Sequence, residues 1–253
     1  MPPPIINRVK TLSAEQDPMG TAIHDFFYKK KLHPLVVHSS LFEDDEMPIP
    51  HFFRTLNQCS AIEKRAIEES KGRILDVGAG AGAHSLPLQA QGKEVKAIDL
   101  SHLSVDVMKQ RGVKDAECIN FYDLQLTGPF DTILLLMNGA GFIGKIDNIS
   151  NFLQRMKLLL APDGQILMDS SDLRYLYEEE DGSFLIDINA GYYGEIDYEM
   201  SYGKVRGPKF DWLYIDFDTL NFYCKQAGFH VESIADDGAY AYLARLTHKK
   251  NEE

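Results

Sequence analysis

The feature that most constrains the fold is a short apolar run that leads directly into a glycine-rich turn. Residues Arg73–Val77 (RILDV) form the run, and Gly78, Gly80 and Gly82 follow at alternate positions before a helical segment. Glycine accepts the positive φ of a tight turn and leaves space beside the backbone. A helix that begins there presents a partial positive charge to an anion. The segment therefore predicts a strand–turn–helix unit with a ligand at its turn, whose amides and helix N-terminus could hold a carboxylate or phosphate.

Strand and helix patterns then alternate along the chain. The predicted strands are 73–77, 94–98, 116–120, 131–137 and 165–169, with helices ending near Gly92, at Arg111 and at Leu160, and a further helix at 216–227. The fourth strand is apolar almost throughout, as expected for a central parallel strand covered on both faces. An Asp-Gly turn at 237–238 separates two alternating runs and predicts an antiparallel hairpin. Together these patterns predict an α/β fold, a doubly wound, seven-stranded, Rossmann-like sheet with an antiparallel last strand.

Two segments lie outside this predicted core. Residues 1–70 show helical spacing and no strand alternation, with a helix predicted after Asp17-Pro18 and another after the capping box Ser60-x-x-Glu63. We expect an N-terminal helical lid over 1–70 and a main domain over 71–250, and we expect the core to fold without residues 1–40. Within the main domain, residues 194–202 and 210–215 alternate like a β-hairpin inserted in 171–215.

Charge limits the choice of partner. The chain carries 26 Lys and Arg against 38 Asp and Glu, a net charge of −12, which disfavours nucleic acid as a partner. Residues 171–218 hold twelve acidic and four basic residues. Either this segment is a solvated face, or it forms a mouth that favours a cationic substrate. Seven of the twelve tyrosines and Trp212 lie in the same segment, and aromatic rings suit an amine or other cation.

The cysteines and apolar runs predict the compartment. Cys59, Cys118 and Cys224 are far apart, and no Cys/His cluster has zinc spacing, so we predict no metal site. The N-terminal MPPPIINRVK lacks the apolar core of a signal peptide. The longest apolar run, Ile133–Met137, is too short to cross a bilayer. We therefore expect a reduced, cytoplasmic protein without a membrane partner, and the oligomeric state stays open.

Acidic residues at strand ends distinguish two cofactor classes. Residues 78–83 satisfy the G-x-G-x-x-A dinucleotide pattern, and Asp99, at the end of the second strand, could accept hydrogen bonds from any ribose. Asp76, inside the end of the first strand, is not part of that pattern. Asp123 follows the third strand, where a carboxylate could accept the amino group of adenine. With the terminal antiparallel hairpin, these features resemble the class I S-adenosylmethionine-dependent methyltransferases over residues 70–247.

The resemblance implies S-adenosylmethionine as the cofactor and a set of residues that bind it. Gly78, Gly80, Gly82 and Asp76 would cradle its amino-acid end, Asp99 would hold the ribose, and Asp123 would contact the adenine. The expected site also includes Tyr28, Ala79, Leu100, Tyr122, Met137 and Asn138.

The same resemblance predicts the reaction. A sulfonium methyl group is already electrophilic, so the enzyme must mainly align the acceptor in line with the S–CH₃ bond, and it needs a general base only for a protonated acceptor. Asn138 and Asp172 are the catalytic candidates, because the site of such a sheet lies beyond the carboxyl ends of its strands.

The end of the fourth strand limits the class of methyl acceptor, and two alternative functions stay open. The fourth strand ends in Met137-Asn138-Gly139, not in the Asn/Asp-Pro-Pro-Tyr/Phe signature of enzymes that methylate amino groups of bases. A small-molecule acceptor, cationic or aromatic, is therefore expected. A nicotinamide-dependent oxidoreductase and a non-catalytic cofactor-binding module are the alternatives.

Overall fold

The computed structural model describes residues 11–179, 181–185 and 191–249. The N-terminal MPPPIINRVK and two of the acidic residues counted above, Glu180 and Asp187, lie outside the described residues. The helices are α1 (Pro18–Phe27), α2 (Ala61–Glu69), α3 (Ser85–Ala90), α4 (His102–Gln110), α5 (Ile149–Leu159) and α6 (Phe217–Gln226). The strands are β1 (Leu35–Ser39), β2 (Asp45–Glu46), β3 (Arg73–Val77), β4 (Glu94–Asp99), β5 (Asp115–Cys118), β6 (Phe130–Leu135), β7 (Leu160–Ser171), β8 (Glu195–Tyr202), β9 (Val205–Arg206), β10 (Phe210–Leu213), β11 (Phe229–Asp236) and β12 (Ala241–His248).

Seven strands form the main sheet, in the order β11-β12-β7-β6-β3-β4-β5. The pairs from β7 through β5 are parallel, whereas β12 runs antiparallel to both β7 and β11. The predicted fold class is therefore confirmed, including the antiparallel last strand. One boundary differs clearly, because β7 extends over 160–171 where the sequence predicted 165–169. Its antiparallel partner β12 pairs with β7 as far as Ser171 and so extends it.

Helices cover both faces of this sheet, which explains why β6 ends in the apolar run Ile133–Leu135. Ile133 and Leu135 pack with Phe152 of α5 on one face. Leu134 points the other way and packs with Leu88 of α3. Successive side chains of a strand alternate between its two faces, so a strand between two helical layers must be apolar at every position.

A second sheet was only partly expected. Its order is β10-β8-β1-β2, and β9 pairs with β8. The inserted hairpin is confirmed, because β8 and β10 are antiparallel neighbours. The prediction that residues 1–70 are helical and carry no strand is wrong, since β1 and β2 lie within them. Strand β1 sits between β2 and β8, so a chain without residues 1–40 would lack an interior strand of this sheet.

The helix starts follow the sequence closely. The Asp17 carboxylate accepts a hydrogen bond of 2.7 Å from the amide of Gly20, and Ser60 and Glu63 form the predicted capping box of α2. Such side chains satisfy amides that have no partner inside the helix. Within the described ranges, no helix is long and apolar enough to cross a membrane.

Candidate active site

The glycine turn after β3 needs glycine for more than one reason. Gly78, Gly80 and Gly82 all have positive φ, at 69°, 55° and 81°. A Cβ placed on Gly78 would lie 2.4 Å from the ring carbon Cζ of Phe142, and one on Gly82 would lie 2.9 Å from a methyl group of Val113. At these two positions the missing side chain makes room for neighbouring protein side chains.

Gly80 differs from the other two glycines. A Cβ there would lie 3.7 Å from Phe52 and 4.0 Å from Ile23, at ordinary contact distance. Both neighbours belong to the N-terminal segment, and they pack in one cluster with Ala81 of the turn and Tyr202 of β8. The turn, the N-terminal segment and the second sheet therefore meet beside Gly80.

The backbone amides of the turn are largely engaged within the protein. The amides of Gly78 and Ala79 donate to the carbonyl of Ile98 at 2.9 and 3.0 Å, and that of Gly82 donates to Ala79 at 2.7 Å. The amide of Gly80 donates to Asp99 Oδ2 at 2.9 Å. The expectation that the turn amides hold an anion is therefore not met by these four. The turn instead offers bare backbone surface beside a carboxylate.

Asp99 connects the turn to the next helix. Its Oδ1 accepts a hydrogen bond of 2.9 Å from the amide of Ser101, while Oδ2 accepts from Gly80. Burial raises the pKa of Asp99 to about 6, and the nearby carboxylate of Asp17 adds to the rise. The Ser101 hydroxyl donates to Asp17, which ties the start of α1 to the start of α4. Each carboxylate oxygen has a second lone pair for a ribose hydroxyl.

Asp76 lies under the turn and is not itself open to a ligand. Its side chain is 2% exposed and accepts a hydrogen bond of 2.5 Å from the Ser85 hydroxyl. Burial raises the pKa of this carboxyl group. Asp76 therefore anchors the turn to the start of α3.

Three further members of the predicted cofactor set, Tyr122, Asp123 and Tyr28, lie in different surroundings. The Tyr122 hydroxyl lies 3.5 Å from the carbonyl of Phe142, and burial raises its pKa to about 12. Asp123 accepts the amide of Gln125 at 2.9 Å and so closes a local turn. Tyr28 is 44% exposed and donates to Asp106 on α4, which places it at the surface. The structure therefore does not bring Tyr28 to the glycine turn, where Ile23 and Phe52 lie instead.

The residues after β6, 137–141, lie at the carboxyl end of the strand, where the reaction is predicted, and we call them the reacting edge. Met137 and Asn138 are non-glycine residues with positive φ, at 68° and 58°. Asp169, at the end of β7, accepts the amides of Met137 and Gly139 at 3.2 and 2.9 Å. The Ser171 hydroxyl donates to Asn138 Oδ1 at 2.9 Å. Sequence reasoning missed Asp169, although an acid at a strand end was the signal that found Asp99.

Two buried carboxylates lie just beyond this edge. Asp172 accepts the Tyr193 hydroxyl at 2.7 Å and also pairs with Arg174, and Asp216 accepts the Tyr192 hydroxyl at 2.7 Å. Tyr193 lies 3.3 Å from Asp216 and so joins the two carboxylates. Burial and then the bond to Asp172 raise the pKa of Tyr193 above its usual value. Burial would raise the pKa of Asp216, but hydrogen bonds from α6 and from Tyr192 hold it below its usual value.

The inserted hairpin has an apolar face and an acidic face. On β8, Ile196 and Tyr202 are 1% and 2% exposed, whereas Glu199, which has the opposite orientation, pairs with Arg206. Trp212 of β10, which is paired with Ile196, packs against Gly141 after β6. The apolar face of the hairpin, which carries Trp212, therefore covers the reacting edge.

Other acids of the segment lie away from that edge. Asp211 pairs with Lys145, and Asp197 accepts the Ser40 hydroxyl, both at exposed positions. The solvated-face explanation therefore fits these acids and Glu199. Asp172 and Asp216 are buried, so only for them does the other explanation, a mouth that favours a cationic substrate, stay open.

A buried polar cluster lies behind the turn, where sequence spacing showed none. The ligand atoms of Cys59, Glu63 and His84 all lie within 4.8 Å of one another, and their types could hold a metal ion. One Glu63 oxygen pairs with both Arg54 and His84, and the other accepts the amide of Ser60. Burial would raise the pKa of Glu63, but the hydrogen bonds from His84 and Ser60 hold it well below its usual range. This carboxylate is thus engaged in an internal ion pair.

Comparison with known proteins identifies the family. A family profile described as a methyltransferase domain matches residues 51–234. The crystal structure of an S-adenosylmethionine-dependent methyltransferase from Bacteroides fragilis, in complex with S-adenosyl-L-homocysteine, is 54% identical with a TM-score of 0.89, over 94% of this chain and 98% of that one. The chain therefore belongs to the class I S-adenosylmethionine-dependent methyltransferases, and S-adenosylmethionine is its cofactor. This result favours the methyltransferase over the nicotinamide oxidoreductase.

Two further relatives are more distant. An uncharacterized methyltransferase of Staphylococcus carnosus is 28% identical over 162 residues, which is 57% of this chain and 77% of that protein. The structure of the CcbJ methyltransferase from Streptomyces caelestis is 13% identical, with a TM-score of 0.62 over 94% of this chain and 100% of that one. This last likeness concerns the fold alone.

Proposed function

We propose that this methyltransferase acts on a nitrogen atom of a small-molecule amine held between the reacting edge and the inserted hairpin. The observation that carries the proposal is the pair of buried carboxylates, Asp172 and Asp216, each hydrogen-bonded to a tyrosine hydroxyl. Asp172 directly follows Ser171, whose hydroxyl donates to Asn138. Buried carboxylates and aromatic rings together favour a cationic ligand.

The proposed cofactor site follows the order of the strands. Asp76 supports the turn, Asp99 accepts the ribose hydroxyls, and the turn after β6 lies against the reacting end. Ile23 and Phe52, which lie beside Gly80, join the proposed set, whereas Tyr28 is left out because its hydroxyl donates to Asp106 at the surface. The remaining members of the proposed set are Gly78, Ala79, Gly80, Gly82, Leu100, Tyr122, Asp123, Met137 and Asn138. When bound, S-adenosylmethionine supplies an electrophilic methyl group, and the protein's part is to align the acceptor and exclude water.

The protonation states at this edge favour nitrogen over a hydroxyl oxygen as the acceptor. Asp172 accepts the Tyr193 hydroxyl and the Arg174 amide on one oxygen and the Arg174 guanidinium on the other, so both oxygens are already engaged within the protein. Tyr192 and Tyr193 have raised pKa values and stay protonated, so they donate hydrogen bonds. An amine can give its proton to bulk water before it binds, and its nitrogen becomes positively charged as it accepts the methyl group, so nearby carboxylates stabilise the product, whereas an alcohol would require a general base. Asn138 is the residue we place against the reacting atoms.

The acceptor class is tested with S-adenosylmethionine labelled in its methyl group and a panel of small amines and matched alcohols. We expect label on amines only, and Asp172→Asn or Asp216→Asn should raise KM for the amine by about 10-fold or more, because a charge-assisted bond is lost. Asp211→Asn on the outer face is the matched control and should leave KM unchanged. Label on alcohols but not on amines would refute the amine proposal.

The N-terminal segment 1–70 is the proposed lid, because its described residues Ile23 and Phe52 pack in one cluster with Ala81 of the glycine turn. Three free cysteines support a proposed cytoplasmic, reducing location. Because Ile23 and Phe52 lie beside Gly80, cofactor binding should protect the lid helix α1 from hydrogen exchange. S-adenosylhomocysteine is the probe, and α5, on the far side of the sheet core, is the internal control. Equal protection of α1 and α5 would contradict a lid.

A further inference from the structure

The backbone after β6 adopts a conformation that L-amino acids rarely adopt. Met137 and Asn138 both have positive φ, and they follow one another directly. In that region the Cβ atom is crowded against the following carbonyl oxygen, so two such residues in succession persist only where neighbouring contacts hold them. At the next position only glycine fits, because a Cβ on Gly139 would lie 2.6 Å from Cβ of Leu135.

One side chain supplies the contacts that hold this turn. Asp169 Oδ2 accepts the amide of Met137 at 3.2 Å, and Oδ1 accepts the amide of Gly139 at 2.9 Å. The two oxygens therefore bond the backbone on both sides of Asn138. The register of the main sheet fixes this geometry, since Leu135 of β6 pairs with Met168 of β7, directly before the carboxylate.

The same strand also holds the side chain of Asn138. Ser171, two residues after Asp169 on β7, donates its hydroxyl to Asn138 Oδ1 at 2.9 Å. Strand β7 thus fixes the backbone of Asn138 through Asp169 and its side-chain amide through Ser171. Asn138 cannot change its orientation without the loss of at least one of these bonds.

We propose that Asp169 is a positioning residue that holds the left-handed turn at 137–139 and thereby presents Asn138 to the bound cofactor. The inference rests on the proposed placement of S-adenosylmethionine at this edge. It assigns to Asp169 no contact with the methyl acceptor and no proton transfer.

Asp169→Asn is the first test, because its NH₂ group would face a backbone N–H in place of one acceptor oxygen. We expect the Kd for S-adenosylhomocysteine, measured by isothermal titration calorimetry, to rise about 10-fold or more. Asp131→Asn is the matched control. Asp131 accepts the amide of Arg73 at 2.7 Å, at the opposite end of the same sheet, so its variant should lower Tm without changing Kd.

A double-mutant cycle separates positioning from general loss of structure. Met137→Gly makes the turn at 137–139 less dependent on the hydrogen bonds to Asp169, because glycine adopts positive φ freely. The loss of affinity caused by Asp169→Asn should therefore be smaller in the Met137→Gly protein than in the wild type. Ser171→Ala, which frees only the Asn138 side chain, provides a second and milder variant that should also weaken binding.

The outcomes are distinct. An unchanged Kd in Asp169→Asn, or an equal loss in both backgrounds, would overturn the positioning role. A wild-type protein that does not bind S-adenosylhomocysteine would instead overturn the proposed cofactor site, before any variant is compared.

Discussion

The two sheets of this protein are assembled in opposite ways. The parallel part of the main sheet uses strands between residues 73 and 171, and short helices connect them except between β5 and β6. The second sheet joins β1 to β8, and its His38 side chain contacts Ser201, 163 residues later in the chain. The main sheet is thus built largely from neighbouring units that local patterns can predict. The sheet that covers the reacting edge joins two local groups of strands through one distant pairing, that of β1 with β8.

The largest effect should come from breaking the strand that links these two regions. Val36→Pro removes from β1 a hydrogen-bond donor that faces β8, where Val36 is paired with Ser201. We expect hydrogen exchange in β8 to accelerate about 100-fold, equal to about 2.8 kcal/mol at 1.4 kcal/mol per tenfold, while β3 and β6 keep their protection. Asp45→Pro on the edge strand β2 is the control and should have little effect on β8. Equal loss of protection in both sheets would show that they unfold as one unit.

A substitution in the glycine turn should abolish cofactor binding and leave the main sheet folded. Gly80→Val and Gly92→Val both force valine into positive φ, at a similar cost of roughly 1–2 kcal/mol. Only Gly80 faces the lid residues, whereas nothing lies within 4 Å of a Cβ at Gly92. We expect the Kd for S-adenosylhomocysteine to rise at least about 100-fold in Gly80→Val and to stay unchanged in Gly92→Val. Similar Kd values for the two variants would mean that the turn is only a structural feature.

The ribose contact should have the next largest effect. Asp99→Ala removes a charge-assisted acceptor, so we expect a loss of about 1.5–3 kcal/mol of cofactor binding free energy by calorimetry. The variant should also lower Tm, because Asp99 accepts the amides of Gly80 and Ser101. Asp106→Ala, which removes the partner of Tyr28, should leave affinity unchanged. Weaker cofactor binding by Asp106→Ala would indicate that Tyr28 belongs to the cofactor site.

The smallest effect is a dependence of stability on pH. Asp99 has its pKa raised to about 6 in the folded protein, so the folded state holds this proton over a pH range in which the unfolded chain has lost it. The associated stability is present at low pH and is lost as the pH rises through about 6. Lowering the pH from 7.5 to 5.5 should therefore raise the Tm of the cofactor-free protein more in the wild type than in Asp99→Asn. Asp211→Asn controls for the change in net charge, and an equal response in all three proteins would refute the assignment.

The sequence by itself determined the main sheet and its helix starts. Each of these elements is specified within a few residues, as in the apolar run at β6 or the Asp17 and Ser60 caps. The acid at the end of β4 belongs to the same kind of signal, because the strand and the turn that place Asp99 beside Gly80 are both local.

Tertiary structure alone decided what covers the site and how its residues are held. Strand β1 (LVVHS) lacks the glycine turn that follows β3 and marks it as a strand, and its pairing with β8 depends on the packing of the whole fold. The clamp of Asp169 on Met137 and Gly139, and the choice of Ile23 and Phe52 over Tyr28 beside Gly80, depend in the same way on contacts between distant elements. Local propensity has a range of a few residues, whereas a site built from several chain segments is fixed only when the fold brings those segments together.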